Sequence, residues 1–372
     1  MKKTAAIMIV AVMFILFCPC VYAQQNSDDL DRLRQQIDSR LQNAADSDTN
    51  YELREMGITP TDEKGIASLD IKGFFAMLWE KFLSSLSVPL VMLGRILAVT
   101  LIYSAAELLS TEGKLGETFG TISIICVITV MAEAVSSSFE ALRSSIETIN
   151  EFMIAYIPIY SAVTTAGGHA ATAGAYSAST VLICEAAEMI ASRLLIPFLS
   201  AVTAISVISA IDPKLKITSA ADSIRKLTTW LLATVMLVFV GLMTIQGVTG
   251  SSADSLVSRT LRFAASSFIP VIGGSVSDAF LAVKSGMGVI KAAVGGFGLI
   301  AVFLIAVRPF MLLISMKLTL WAGRIANEML GLTRAAAFLK SIDAVLSIGV
   351  SILIAITSAF LIATAAVMSV MG

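Results

Sequence analysis

Runs of about twenty apolar residues recur along this chain, and no other feature restricts its fold so strongly. A helix needs about 20 such residues to cross a hydrocarbon core about 30 Å thick. Val88–Leu109 qualifies despite Arg95 and Glu107, and Phe119–Val135 carries Glu133 near its end. Phe152–Gly168 is shorter, and Ala170–Ile211 is long enough for two crossings, with Arg193 and Pro197 near its middle. Thr228–Thr249 is the cleanest run; Asp278 and Lys284 interrupt Ile269–Met287. Ala292–Ala322 contains Arg308-Pro309, and Val345–Val370 closes the series. Composition agrees: 56% of the 372 residues are hydrophobic and 14% charged, against about 25% charged in soluble domains. The expected fold is an all-α polytopic membrane protein with about eight transmembrane helices and amphipathic interfacial helices between them.

The N-terminus departs from this pattern. Lys2 and Lys3 precede an apolar run from Ala5 to Phe17, and Val21-Tyr22-Ala23 supplies small residues before a cleavage point. This is the form of a secretory signal peptide over residues 1–23, with an uncleaved anchor as the alternative. Cleavage removes Cys18 and Cys20 and leaves Cys126 and Cys184, both in apolar runs and expected as core thiols. Residues 24–81 hold 19 of the 53 charged side chains and read as an exported polar helical head. Within it Leu30, Leu33, Ile37 and Leu41 form a helical stripe. The stretch 71–82 (IKGFFAMLWEKF) reads as an interfacial helix with Phe74, Phe75 and Trp79 at headgroup level.

Lys and Arg set the orientation. Lys214, Lys216, Arg225 and Lys226 in one loop, and Arg324, Arg334 and Lys340 in another, place both loops in the cytoplasm. Two amphipathic stretches then fall outside. In Ser136–Met153, Phe139, Leu142, Ile146, Ile149 and Met153 share a face, with Glu140, Arg143, Glu147 and Glu151 off it. In Gly250–Phe268, Leu256, Leu261 and Phe268 alternate with Asp254, Arg259 and Arg262. Each reads as a surface connector or as a docking surface.

Ile157-Pro158 and Ile269-Pro270 are 112 residues apart, as are Pro197 and Pro309. With a basic loop and an apolar run after each later proline, this outlines a parallel internal repeat. The domain reading is a first transmembrane pair over 82–136, repeat 1 over 137–249 and repeat 2 over 250–372.

Ionisable groups in the apolar runs are candidates for a bundle interior or a wet cavity: Arg95, Glu107, Glu133, Glu185, Glu188, Arg193, Arg308 and Lys317. Small residues crowd Thr164–Thr180, with Gly167, Gly168 and the single histidine His169, and Gly286–Gly298. They allow close helix approach or an unwound segment. No Walker phosphate loop, HExxH or GxSxG motif is present, so an enzyme is not expected, and no cofactor or metal is called for. A net charge of −1 implies no nucleic-acid partner.

The stretch Gln246–Asp278 (QGVTGSSADSLVSRTLRFAASSFIPVIGGSVSD) is the most specific part of the chain. Its Gln246-Gly247, Arg259-Thr260, Phe263 and Phe268–Gly273 resemble the stage III sporulation protein AE family of endospore-forming bacteria. Ile157-Pro158 followed by Gly167-Gly168, the signal and the exported head are similar to it too. The resemblance implies a polytopic subunit in the mother-cell membrane around the engulfed forespore. It implies neighbours in the same assembly: a secretion-type ATPase, ring-forming proteins, and a forespore membrane protein across the intermembrane space. The assembly would be a channel supporting forespore development and late gene expression. Arg259 and Thr260 become candidate partner or lipid contacts. Pro158, Pro270, Gly273 and Gly274 are candidates for helix breaks. Gln246, Gly247, Gly167, Gly168, Arg308 and Pro309 complete the structural candidates. A stand-alone secondary permease and a non-conducting scaffold are the alternatives.

Overall fold

The computed structural model describes residues 31–372 except 69, 110–113, 191–192, 194–195, 212–222, 225, 243–253, 256–272 and 370–372. The expected signal peptide, the basic loop 212–222 and nearly all of Gln246–Gly273 lie outside the described residues. Every regular element among the described residues is a helix. The head comprises α1 (31–44), α2 (Ser47–Glu55) and α3 (Glu63–Ala67). Beyond it run α4 (Ile71–Ser85), α5 (Ser87–Leu109), α6 (Lys114–Ala166), α7 (Ala170–Glu188) and α8 (Ile196–Ile211). They are followed by α9 (Lys226–Leu242), α10 (Gly273–Met329) and α11 (Thr333–Ser369).

Among the described residues, four helical stretches are long and apolar enough to cross a membrane: Ile71–Ala105, Thr118–Ala166, Gly286–Met329 and Thr333–Ser369. Ile196–Ile211 and Lys226–Leu242 are shorter apolar helices. Some apolar runs that sequence reads as separate crossings are continuous here, and others extend into residues outside the described set. The 53-residue α6 carries Phe119–Val135, the amphipathic stretch and Phe152–Gly168 in one piece. At 1.5 Å per residue it is about 80 Å long, far more than a bilayer core. The amphipathic reading itself holds: Leu142, Ile146, Ile149 and Met153 are buried and Glu140, Arg143 and Glu151 are exposed.

Prolines do not end these helices. Pro158 lies inside α6 and Pro309 inside the 57-residue α10. A proline removes one backbone donor and crowds the preceding turn, but neighbouring turns continue, and Pro158 sits on the exposed side. Pro197 lies in α8, next to residues outside the described set.

The core forms around α10. Helices α6 and α11 run antiparallel to it, as Tyr156 and Ser145 of α6 reach the carbonyls of Val294 and Ile305. Glycine makes this closeness: a Cβ on Gly298 would stand 2.4 Å from the Tyr156 ring and one on Gly295 2.7 Å from Met368 Sδ. Close packing is therefore what Gly286–Gly298 provides. Two tight reversals use left-handed glycines, Gly168 (φ 86°) between α6 and α7 and Gly331 (φ 76°) between α10 and α11. At these φ values a Cβ is strained.

The head is folded and docked. Of the expected stripe, Ile37 and Leu41 are buried and Leu33 partly so, while Leu30 lies outside the described residues; Leu53 and Ile58 are buried with them. Asp46 caps α2. Asp38 accepts hydrogen bonds from the Thr61 amide and hydroxyl, both 3.0 Å; partial burial pushes its carboxyl above the usual range, against those bonds. Ile66 meets Gly296 and Phe74 packs on Phe303, 5.8 Å between centroids, while Phe75 and Trp79 stay exposed. Cys184 is buried as expected, but Cys126 is exposed because it lies on the outer face of α6 with Ile122 and Ile125.

Candidate functional site

Two polar junctions among the described residues join parts of the chain far apart in sequence. The first joins head to membrane helix. Arg308 Nη1 lies 2.6 Å from Asp48 Oδ2, and its Nη2 lies 3.7 Å from Glu52 Oε1. Glu52, only 7% exposed, also pairs with Lys81 of α4. One carboxylate is thus held by cations from two different helices, which lets it leave water. Sequence places Arg308 among intramembrane charges; the structure gives it the head as partner and leaves its side chain half exposed.

The second junction lies at the start of α7, where the chain reverses after Gly168. The first amides of a helix have no partners within it. His169, at the N-cap, supplies no side-chain cap. Asp254 supplies it from more than eighty residues away. It accepts from the amides of Ala171 (2.8 Å) and Thr172 (3.0 Å) and from the Thr172 hydroxyl (2.5 Å). The helix dipole favours an anion there. His169 Nδ1 stands 3.8 Å from the same carboxylate. Lys291 of α10 is fully buried, and its Nζ has no hydrogen-bond partner among the described residues. Asp254 is the opposing charge within its electrostatic reach. A ladder of buried rings adjoins this centre: Phe152 stacks on Tyr156, Tyr156 on Tyr160, and Tyr160 meets Tyr176 edge to face at 5.3 Å.

The sequence candidates distribute unevenly over these junctions. Gly167 and Gly168 flank the second, Arg308 and Pro309 the first, and Pro158 lies one turn from the rings. Gly273 and Gly274 are the first described residues of α10. Gln246, Gly247, Arg259, Thr260 and Pro270 lie outside the described residues. Arg95, Glu133, Glu185 and Arg193 are exposed rather than interior. Lys317 is paired, with Asp343 at 2.7 Å and Ser347 at 2.5 Å.

Sequence reasoning missed Asp254 as an interior group, because it sits in a polar-faced stretch, and passed over Lys291. Lys291 stands between two glycine clusters at the edge of an apolar run, and that was the available signal. Among the described residues no group of three His, Cys, Asp or Glu is placed to hold a metal ion. The junctions hold charges and helices together; they present no nucleophile with its base.

The family model described as stage III sporulation protein AE matches residues 58–371. The stage III sporulation protein AE of Bacillus subtilis (strain 168) is 25% identical over 273 residues, covering 70% of this chain and 68% of that protein. No solved structure matches.

Proposed function

The chain belongs to the stage III sporulation protein AE family, and from that premise we propose that it is the polytopic core subunit of a transenvelope channel complex between mother cell and forespore. In this reading it resides in the mother-cell membrane around the forespore, with the head in the intermembrane space. Its neighbours are a secretion-type ATPase, ring-forming proteins and a forespore membrane protein. The complex supports forespore development and late gene expression. One observation carries the reading: the head is clamped to the longest described apolar helix through Arg308, Asp48 and Glu52. A subunit around which others assemble needs a fixed relation between its exported part and its membrane helices. The unusual helix length supports the same reading, since α6 and α10 exceed what one bilayer needs.

Site-directed labelling tests it. In a background with Cys126 and Cys184 replaced, single cysteines in the head, at 137–151 and at 324–343 are probed in sporulating cells. The reading expects the head and 137–151 to label from outside and 324–343 to be protected. It also expects Arg259→Ala and Pro270→Leu to insert normally and fail to sporulate. Normal sporulation of both variants overturns those residue roles; a head labelled only after permeabilisation overturns the orientation.

A second reading, a secondary permease for a small metabolite, rests on Lys291 and Asp254, since buried ionisable groups in membrane helices mark transport paths. It requires transport by the purified chain in vesicles without partners. The scaffold reading requires Glu185, Glu188 and Arg308 substitutions to alter abundance alone.

A further inference from the structure

Helices α9 and α11 share two adjoining depressions of opposite character. One is a cleft of about 300 Å³ lined by Thr229 of α9, Arg324 of α10, and Lys340, Asp343, Ser347 and Ser351 of α11. The other is a groove of about 340 Å³ between α7, α9 and α11. The change is abrupt along both helices. On α11 the lining turns from Ser351 in the cleft to Ile352 in the groove, and on α9 from Thr229 to Leu232.

The charges in the cleft leave a positive surplus. Asp343 is matched by Lys317. Among the described residues Arg324 pairs with Glu328 on its own helix, at 3.3 Å. Lys340 is exposed and makes no ion pair among the described residues. The groove offers the opposite chemistry. Its hydroxyl residues Ser179 and Thr234 both donate back into their own helices, to the carbonyls of Ala175 (2.7 Å) and Trp230 (2.9 Å). What remains is aliphatic and aromatic surface. From Leu232 to Leu242 the groove side of α9 extends about 16 Å, close to one leaflet's half of a core about 30 Å thick. Exposed Trp230 and Trp321 stand beside Thr229 and one turn before Arg324; tryptophan settles at headgroup level.

We propose that this cleft and groove form one binding site for an anionic phospholipid, its phosphate against Arg324 and Lys340 and its acyl chain between α9 and α11. Neither half alone specifies the ligand. A basic cleft alone would take any phosphate, and an apolar groove alone any chain. Their continuity along the same two helices selects a molecule with both. Basic pockets between membrane helices hold anionic headgroups in this way.

The full-length chain, purified and delipidated in a neutral detergent, is titrated with phosphatidylglycerol, with phosphatidylcholine of the same chains, and with inorganic phosphate. Native mass spectrometry counts bound lipid, and the unfolding temperature gives an independent readout. Phosphatidylglycerol should bind and stabilise. Arg324→Gln with Lys340→Gln should weaken it about thirty-fold, from the roughly fivefold that each cation contributes. The charge-preserving swap Arg324→Lys with Lys340→Arg should retain it. Ala186→Phe, which fills the groove, should weaken it with both cations intact. Should the double Gln variant aggregate, Lys340→Gln alone, at an exposed position, should show the roughly fivefold loss. Equal binding of phosphatidylcholine, competition by inorganic phosphate at lipid concentrations, or full binding by the Gln variants overturns the proposal.

Discussion

Gly298→Ala should destabilise the chain far more than Gly295→Ala, though the two changes are chemically identical and one turn apart. A Cβ on Gly298 would lie 2.4 Å from Tyr156 Cζ and 2.6 Å from Cε2 and Oη. Ordinary carbon contacts are about 3.5–4.0 Å, so the ring would have to retreat by more than about 1 Å. It has nowhere to go. Tyr156 is fully buried and stacked between Phe152 and Tyr160 at 5.6 and 5.3 Å. Moving it also strains the 3.2 Å bond from its hydroxyl to the Val294 carbonyl. Overpacking of this kind costs about 1–3 kcal/mol and a weakened buried hydrogen bond about 1 kcal/mol more, together about 2–4 kcal/mol. On Gly295 the closest atoms are Met368 Sδ and Cγ at 2.7 and 2.8 Å, the end of a flexible side chain, with the Tyr160 hydroxyl next at 3.1 Å, and the cost should be about 1 kcal/mol. Equilibrium unfolding in mixed micelles measures both, with Gly298→Ala/Tyr156→Leu as the relief variant. Equal stability of the two alanine variants, or a wild-type Gly298→Ala, refutes the packing argument.

Arg308→Glu should release the head, because it places a third negative charge beside Asp48 and Glu52. Hydrogen exchange over 47–55 should rise, while Arg308→Gln, removing a half-exposed ion pair worth about 0–1 kcal/mol, should raise it less. Asp254→Ala should cost about 1–3 kcal/mol, because it leaves the first amides of α7 without their acceptor. The same unfolding assay measures the loss; unchanged stability would show that Asp254 does not cap α7.

Helical content, the apolar body and the head's stripe were legible because they depend on local periodicity. Leu142, Ile146, Ile149 and Met153 occupy the buried face that spacing assigns them. The number of crossings was not legible, because a polar face can belong to a connector or to the middle of one long helix, and hydropathy is the same in both. Pairing was not legible either. Asp254 and the α7 amides lie more than eighty residues apart, and Arg308 meets a carboxylate some 260 residues before it. Sequence spacing on one helix reports neighbours three or four residues away and is silent about partners at that range. Lys291 shows the limit most clearly: its neighbours in sequence are small and apolar, and only the fold brings Asp254 toward it.

The exposed side of α6 changes character along its length, and this decides which part can touch lipid. Phe119, Ile122, Ile125 and Cys126 are exposed near its start, whereas Glu133, Glu140, Arg143 and Glu151 are exposed farther along. From Glu133 to Glu151 the charged side covers about 27 Å, nearly a full hydrocarbon core. Charges facing acyl chains would each cost several kcal/mol, and the single Arg143–Glu147 pair at 2.8 Å leaves the other glutamates uncompensated. The charged side must therefore meet water or protein, while the apolar side at the start of the helix is the part free to meet lipid. The native Cys126 tests this after Cys184→Ser. It should react with a membrane-permeant apolar maleimide and resist a sulfonated, water-soluble one, whereas Glu140→Cys in a Cys126→Ala chain should react with the water-soluble reagent. A Cys126 that labels with the charged reagent as fast as residue 140 would place the apolar side at the start of α6 in water and refute its assignment to lipid.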